Sequence, residues 1–445
     1  MSHYKPYPAY KDSGVEWLGQ VPVTWGVSPL WAVATVNDDE RKAFENESDE
    51  FEYVDISTVT LETGISKPAL LLVKDAPSRA QRKAKSGDIV VSTVRTYLRA
   101  IGKVLLEHEP AVFSTGFAIV RANEVSAAYL YYALLSEHFL FDVEAHSTGV
   151  SYPAINASDL MKLKILVPTL PEQQEIAQHL DHETARIDGL ISRKTSFIEL
   201  LREKRQALIT IAVTRGLDLN APLKDSGVEW LGDVPAHWDV TRVKYVISSI
   251  GQGWSPECES RPVDEGEWGV LKVGCVNGGV FRPTENKALP LTLAPRPELA
   301  LKKGDVLVSR ANTRELVGGC AVVEQDFPLL MICDKLYRLS VDNARTNPAF
   351  LAALIAVHGR REVELEATGA SASMVNIAQS VILNLQVGLP PLDEQVAIIV
   401  SVVSGTQRYD TLISTTERSI ELLKERRSAL ITAAVTGQID LRETV

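Results

Sequence analysis

Residues 168–219 open with PTLPEQQEI and close with LITIAVTRGLDL. Residues 390–441 open with PPLDEQVAI and close with LITAAVTGQIDL. The two stretches align without a gap at an offset of 222, with 26 identities in 52 positions, so the chain carries an internal duplication. In the first copy apolar residues recur at alternating spacings of three and four: Ile176, Leu180, Ile187, Leu190, Phe197, Leu201, Leu208 and Ile211. The second copy repeats the pattern with Ile398, Val402, Tyr409, Leu412, Ile420, Leu423, Leu430 and Ala433. The spacing predicts a long helix with one coiled-coil-type stripe. Glu172 in one copy, and Asp393 and Glu394 in the other, suit a first helical turn, where the backbone presents partial positive charge. About 43 helical residues rising about 1.5 Å each span roughly 64 Å. Such a helix needs a partner for its stripe, and the other copy is the expected one, antiparallel about a pseudo-twofold axis. Glu183 and Lys194 interrupt the stripe, and Gly405 weakens a helix by about 1 kcal/mol relative to Ala. The second helix is therefore expected to be less regular, bending or fraying near Gly405.

A second block precedes each variable region. Residues 11–25 read KDSGVEWLGQVPVTW and residues 224–238 read KDSGVEWLGDVPAHW, matching at twelve of fifteen positions. Between the repeated blocks lie two inserts of domain size that barely resemble each other. KSGDIVVS at 85–92 still matches KKGDVLVS at 302–309, and His146–Asn156 still echoes Glu366–Asn376 through STG and ATG. The expected organisation is 1–167 for the first repeat block and insert, 168–219 for the first helix, 220–389 for the second block and insert, and 390–445 for the second helix. After Leu441 a continued repeat would begin another KDSGVEW block. The N-terminal block is expected to fill that place, which puts the two ends of the chain side by side.

The inserts read as mixed α/β. Val54–Val59, Ile89–Val94, Ala118–Arg121, Val270–Val276 and Val306–Ser309 predict short strands. Gly87-Asp88 and Gly304-Asp305 predict turns. Ala127–Phe141 and Pro348–Gly359 predict helices. The fold class expected is α+β: two mixed α/β domains separated by two long helices that form an antiparallel coiled coil.

A chain of 445 residues has room for two to four domains. Its 45% hydrophobic and 23% charged residues are ordinary for a globular protein and exclude a disordered, collagen-like or disulfide-scaffold chain. No apolar run reaches the roughly 18 residues of a membrane helix, so no membrane partner is expected. The opening MSHYKPYPAYKDSG has no apolar secretory core, and a cytoplasmic location is expected. Cys258, Cys275, Cys320 and Cys333 form no CxxC pair and read as scattered thiols. The net charge of −11 argues, taken alone, against nucleic-acid binding.

Several catalytic motifs are missing. An amino-methyltransferase requires an N/D-P-P-[FYW] loop, and the nearest approach is Asn347-Pro348-Ala349-Phe350. Phe350 aligns with Tyr129 at the start of a helix, so Asn347 reads as an N-cap with Pro at the first helical position. Gly251-Gln252-Gly253 lacks a third glycine, and no GxxxxGK[ST] occurs. His179 and His182 have ligand spacing, but the second copy has Ser401 and Ser404 there, which reads as a structural face. No nucleophile, base and orienter come together in sequence. No catalytic residue and no metal site is assigned.

Cations cluster instead. Residues 74–103 hold Lys74, Arg79, Arg82, Lys83, Lys85, Arg95, Arg99 and Lys103 against only Asp75 and Asp88. The corresponding stretch 296–314 holds Arg296, Lys302, Lys303, Arg310 and Arg314 against Glu298 and Asp305. Lone charge runs are usually solvated loops. Two at equivalent places point toward DNA, where Arg suits guanine edges and Lys suits phosphates. Thr148–Tyr152 and Thr368–Ser373 are small polar segments that suit either plain turns or close approach to a phosphate or base edge. The candidate DNA contacts are Arg79, Arg82, Lys83, Arg95, Tyr97, Arg99, Ser151 and Tyr152 in the first insert. In the second they are Lys272, Arg310, Asn312, Arg314, Ser371 and Ser373. The acidic remainder would repel non-specific DNA or face a basic partner.

At this point the chain resembles the specificity subunit of type I restriction–modification systems. The resemblance is carried by Tyr10–Gly19 before Val21-Pro22 and Trp25, by its second copy at 224–238, and by Pro168–Gln174 leading into a long helix with Arg202-Glu203-Lys204-Arg205. It covers essentially the whole chain. It implies two target recognition domains, each reading one half of a split, asymmetric sequence in double-stranded DNA, and a helical spacer that fixes the gap. It also implies two methyltransferase subunits that use S-adenosylmethionine, and restriction subunits that use ATP and magnesium. The specificity chain itself is implied to be non-catalytic and free of cofactors. Two other readings remain at the level of sequence: a stand-alone methyltransferase or nuclease with a diverged site, and a scaffold that does not touch DNA.

Overall fold

The computed structural model describes all residues except 1–3, 16–17, 42–45, 47, 230, 360–367, 372–373 and 445. The chain divides into two compact units, residues 1–195 with 417–445, and residues 196–416. Long helices run over Leu170–Arg215 and Leu392–Val435, and each unit takes part of both.

Inside each unit the two helix segments pair antiparallel. In the first, Arg427 Nε lies 3.0 Å from Asp188 Oδ1; in the second, Arg205 Nε lies 2.8 Å from Asp410 Oδ1. These are one ion pair duplicated, because 205 and 188 align with 427 and 410 at the repeat offset of 222. Ile176, Leu180 and Ile187 are buried as their stripe predicts, and so are Ile398 and Val402. Further along, the stripe shifts by one or two residues. Phe197 and Ile211 are exposed, while Ile198, Ala212 and Val213 are buried. A straight helix drifts against a 3.5-residue repeat, so a seven-residue pattern does not stay on one face. The second helix runs unbroken through Gly405, so it does not fray there. A Cβ there would sit 3.1 Å from Leu208 Cδ1, so the glycine lets the facing leucine approach.

The repeated PEQ and DEQ segments join each helix to its domain through a buried glutamine. Gln173 Oε1 accepts the Ser126 N–H at 2.8 Å, and its Nε2 donates to the Pro168 carbonyl at 2.9 Å. Gln395 makes the same bonds to the Asn347 N–H and the Pro390 carbonyl, at 2.8 and 2.9 Å. Both helices end on a left-handed glycine, Gly216 at φ 72° and Gly437 at φ 71°. Each glycine lies against the tryptophan that closes the repeated block of 11–25 or 224–238, Gly216 against Trp238 and Gly437 against Trp25. Both indoles are fully buried. The N-terminal strand Tyr4–Lys5 pairs antiparallel with Asp440–Thr444, so the chain ends are adjacent as the broken repeat predicts.

The dissimilar inserts share one topology. In the first, Ile101–Lys103, Ile89–Ser92, Phe117–Ala122 and Ala34–Val36 form an antiparallel sheet in that order. Its counterpart runs Cys320–Val322, Val306–Ser309, Leu336–Val341 and Ile247–Gln252. A second four-stranded sheet in each has one parallel pairing at its centre, Val112–Ser114 beside Glu50–Val54 and Phe327–Met331 beside Gly269–Leu271. The KSGD and KKGD turns are held alike. Asp88 Oδ2 accepts the Lys85 N–H at 2.8 Å, and Asp305 Oδ2 accepts the Lys302 N–H at 2.9 Å.

Two strand expectations are corrected, in the same way in both inserts. The strand ends at Val54, and Ile56–Thr58 is a 3-10 turn; it also ends at Leu271, followed by the 3-10 segment Val273–Gly279. Apolar alternation continues past the strand because Ile56 and Cys275 are buried, but the backbone bonds are local. Thr58 donates to the Asp55 carbonyl from both N–H and Oγ1, and the Cys275 N–H donates to Lys272. The first predicted helix breaks into Ala127–Leu134 and Glu137–Ala145, where Ser136 caps the second piece by accepting the Phe139 N–H. The other runs over Pro348–Leu354 and continues as a π turn, Ile355–Gly359. Asn347 caps it, accepting from the Ala349 and Phe350 N–H groups as an N-cap should.

Candidate nucleic-acid interface

In the first insert two distant loops meet at the end of the Ile89–Ser92 strand. Val94 bridges to Ala154, the Ile155 N–H donates to Thr93 at 2.9 Å, and Thr96 Oγ1 donates to Ser147 Oγ at 2.8 Å. A 3-10 turn, Thr96–Leu98, stands between Arg95 and Arg99, both left-handed at φ 51°. Such a conformation costs a residue with a side chain on the order of 1 kcal/mol or more. Arg99 offsets it by bonding Glu144 at 2.7 Å and Glu137 at 2.8 Å, and these carboxylates raise its pKa. Arg95 is exposed, and its guanidinium lies 5.2 Å from the centre of the Tyr152 ring. The Arg79 carbonyl accepts the Thr115 N–H, and neighbouring Gly116 accepts from Thr93.

The second insert builds the same meeting place. Ala311-Asn312 pairs with Val375-Asn376, and the Ile377 N–H donates to Arg310 at 2.9 Å. Thr368–Ser371 pairs in turn with Met374–Asn376. Arg310 lies 5.7 Å from the centre of the Tyr337 ring and donates from Nη1 to the Asp334 carbonyl at 3.3 Å. Its buried Nε has no partner among the described residues. A guanidinium with spare donors, held over an aromatic ring, suits recognition of a base edge or phosphate. Asn312 Oδ1 accepts the Thr313 N–H, and Arg314 is exposed on the same loop.

The structure therefore brings Arg95, Tyr97, Ser151 and Tyr152 to one rim, with Arg99 as its internal brace, while Arg79 is tied to it only through its backbone. Arg310, Asn312 and Arg314 come to the equivalent rim, with the backbone of Ser371 in the paired hairpin. Ser373 lies outside the described residues. Arg82 pairs with Glu40 at 3.0 Å. Lys83 donates to the carbonyls of Glu109, Pro110 and Ala111, and burial lowers its pKa. Both cations serve the fold in this arrangement. Lys272 sits at the N-cap of Val273–Gly279, away from that loop pair. Sequence reasoning missed Leu98 and Val150, exposed apolar residues beside Tyr97 and Tyr152. Their signal was an apolar residue inside an otherwise polar loop.

The remaining features have structural explanations. A Cβ at Gly253 would fall 2.0 Å from the Ile332 carbonyl, so that glycine allows backbone contact. His179 Nε2 bonds Tyr4 Oη at 2.8 Å. Among the described residues no group of His, Cys, Asp and Glu is arranged to hold a metal, and no helix is long and apolar enough to cross a membrane. Burial raises the thiol pKa of Cys275, Cys320 and Cys333, the last to about 11, so these are neutral packing groups at pH 7.

A family model described as the type I restriction modification DNA specificity domain matches residues 22–199. Residues 22–199 thus resemble the DNA specificity domain of type I restriction–modification systems. It is 30% identical over 241 residues to the type I restriction enzyme EcoEI specificity subunit of Escherichia coli, an alignment covering 53% of this chain but only 40% of that relative. It is 25% identical over 354 residues to the MjaVIII specificity subunit of Methanocaldococcus jannaschii, covering 77% of each. A solved chain from work on complex assembly and conformational transition of the type I R-M system superposes with a TM-score of 0.63 at 24% identity, covering 94% of this chain and 99% of that one. That likeness establishes the fold: two mixed α/β domains and a long antiparallel helix pair.

Proposed function

We propose that this chain is the DNA sequence-specificity subunit of a type I restriction–modification complex, reading a bipartite, asymmetric target. The observation that carries the reading is the pair of equivalent rims. One topology, held by one duplicated frame, presents Arg95 and Tyr152 in one domain and Arg310 and Asn312 in the other. Identical scaffolds with different side chains at the same loops suit two half-sites of different sequence. The duplicated frame, including the glutamine joints and the cross-helix ion pairs, suits two methyltransferase subunits bound in equivalent ways.

In this reading the chain supplies recognition and no chemistry. S-adenosylmethionine belongs to the methyltransferase subunits, and ATP and magnesium to restriction subunits, with all of them in the cytoplasm. The helix pair fixes the gap between half-sites. The net charge of −11 limits non-specific attraction to DNA and leaves the local cations to act at the rims.

The test is a base-resolution adenine methylome of the host with and without the gene. Loss of methylation at one split, asymmetric motif is expected; an unchanged methylome in a host whose methyltransferase subunits are expressed would sink the reading. Arg95→Ala and Arg310→Ala then separate the domains. Each is expected to relax one half of the motif, whereas uniform weakening of both halves would assign the residue to phosphate contact.

A further inference from the structure

The two rims differ in chemistry at two successive positions, after which the second loop exposes Leu316 at 38%. After the matched serines, Ser92 and Ser309, the first domain places Tyr97-Leu98 where the second places Arg314-Glu315. Tyr97 is 54% exposed and Leu98 46%, at the tip of the 3-10 turn. Tyr152, 67% exposed, and fully exposed Val150 lie on the adjoining loop. The turn is tightly held: left-handed arginines flank it, two carboxylates grip Arg99, and Thr96 bonds both Ser147 and the Pro153 carbonyl. It is an apolar edge on a braced turn, with exposed Arg95 beside it and Glu137 and Glu144 paired to Arg99.

We infer that Tyr97 and Leu98 form a wedge that the first domain presses against a base-pair step of its half-site. That half-site is read partly through how readily the step unstacks. This rests on the proposed DNA-reading function. Proteins that kink duplexes set apolar side chains between base pairs and hold the neighbouring phosphates with cations. Flexible pyrimidine–purine steps yield most easily, so the wedge creates a preference at positions it does not hydrogen-bond. Exposed Arg95 favours duplex DNA over an apolar protein groove as the occupant.

The experiment uses the full chain in complex with its methyltransferase subunits and duplexes of the motif defined by the methylome. 2-Aminopurine replaces each purine in turn, apart from the methylated adenine, which the methyltransferase itself flips out. A fluorescence rise is expected at one step in the half-site that Arg95→Ala relaxes. It should be lost in the Tyr97→Ala/Leu98→Ala double variant and kept in Tyr97→Phe. The double variant should also lose the wild type's preference for a pyrimidine–purine step in methylation of altered half-sites. A complex that reads its motif with no such rise, or with a rise that survives the double substitution, overturns the wedge and leaves the DNA-reading function standing. Loss of methyltransferase association in the double variant overturns it in favour of a protein contact. Failure of the intact complex to read any duplex removes both.

Discussion

The two halves of this protein share a frame and differ at one buried joint. Trp25 and Trp238 are equivalent, both fully buried against a helix-ending glycine. Trp238 donates its indole N–H to Glu394 at 3.1 Å. The aligned Glu172 instead accepts the Tyr7 hydroxyl at 2.9 Å, and Trp25 Nε1 has no partner among the described residues. The N-terminal segment has thus taken over a carboxylate that the second copy uses for its tryptophan. The duplication preserves packing geometry more strictly than it preserves the polar pairs attached to it.

This comparison is breakable at several depths. The largest effect is expected from Trp25→Ala or Trp238→Ala, each removing a buried indole from a core and destabilising its unit by about 3–5 kcal/mol in denaturant titrations. The shape-sparing Trp→Phe pair sharpens the contrast. Trp238→Phe is expected to lose about 1 kcal/mol more than Trp25→Phe, because only Trp238 gives up a hydrogen bond; equal losses would contradict the difference.

Gln173→Leu and Gln395→Leu leave the Ser126 and Asn347 N–H groups unpaired, and each is expected to cost about 1–3 kcal/mol, the second somewhat more because Gln395 Nε2 also donates to the Arg345 carbonyl at 3.2 Å. Gly189→Ala and Gly405→Ala should diverge. Nothing lies within 4 Å of a Cβ at Gly189, so alanine there should stabilise by about 0.5–1 kcal/mol through helix propensity. At Gly405 the gain is offset by Leu208, 3.1 Å away. A matching gain at both positions would show that the helices do not pack closely there. The smallest effect belongs to the duplicated ion pairs, where double-mutant cycles on Arg205–Asp410 and Arg427–Asp188 should each give about 0.2–1 kcal/mol, with the less exposed Arg427 pair the larger.

The architecture was legible because duplication is a long-range signal written in the chain itself. The helix stripes, the antiparallel pairing and the adjacency of the ends all follow from two aligned blocks. The Asn347 cap was also legible, since an N-cap is a local device. What escaped was set by partners far away in sequence. Val54–Val59 and Val270–Val276 alternate like strands, yet the backbone leaves the sheet after Val54 in one and after Leu271 in the other. Arg82, Lys83 and Arg99 look like free cations in sequence, and only the fold brings Glu40, the 109–111 carbonyls and the 137 and 144 carboxylates to them.

The sequence alone determined that there are two domains on one repeated frame, because periodicity and repetition survive when the chain is read in one dimension. Only the tertiary structure decided that the dissimilar inserts share a topology, and which loop residues reach the rim. Strand pairing depends on backbone bonds that many sequences satisfy. A side chain's availability depends on neighbours tens or hundreds of residues away.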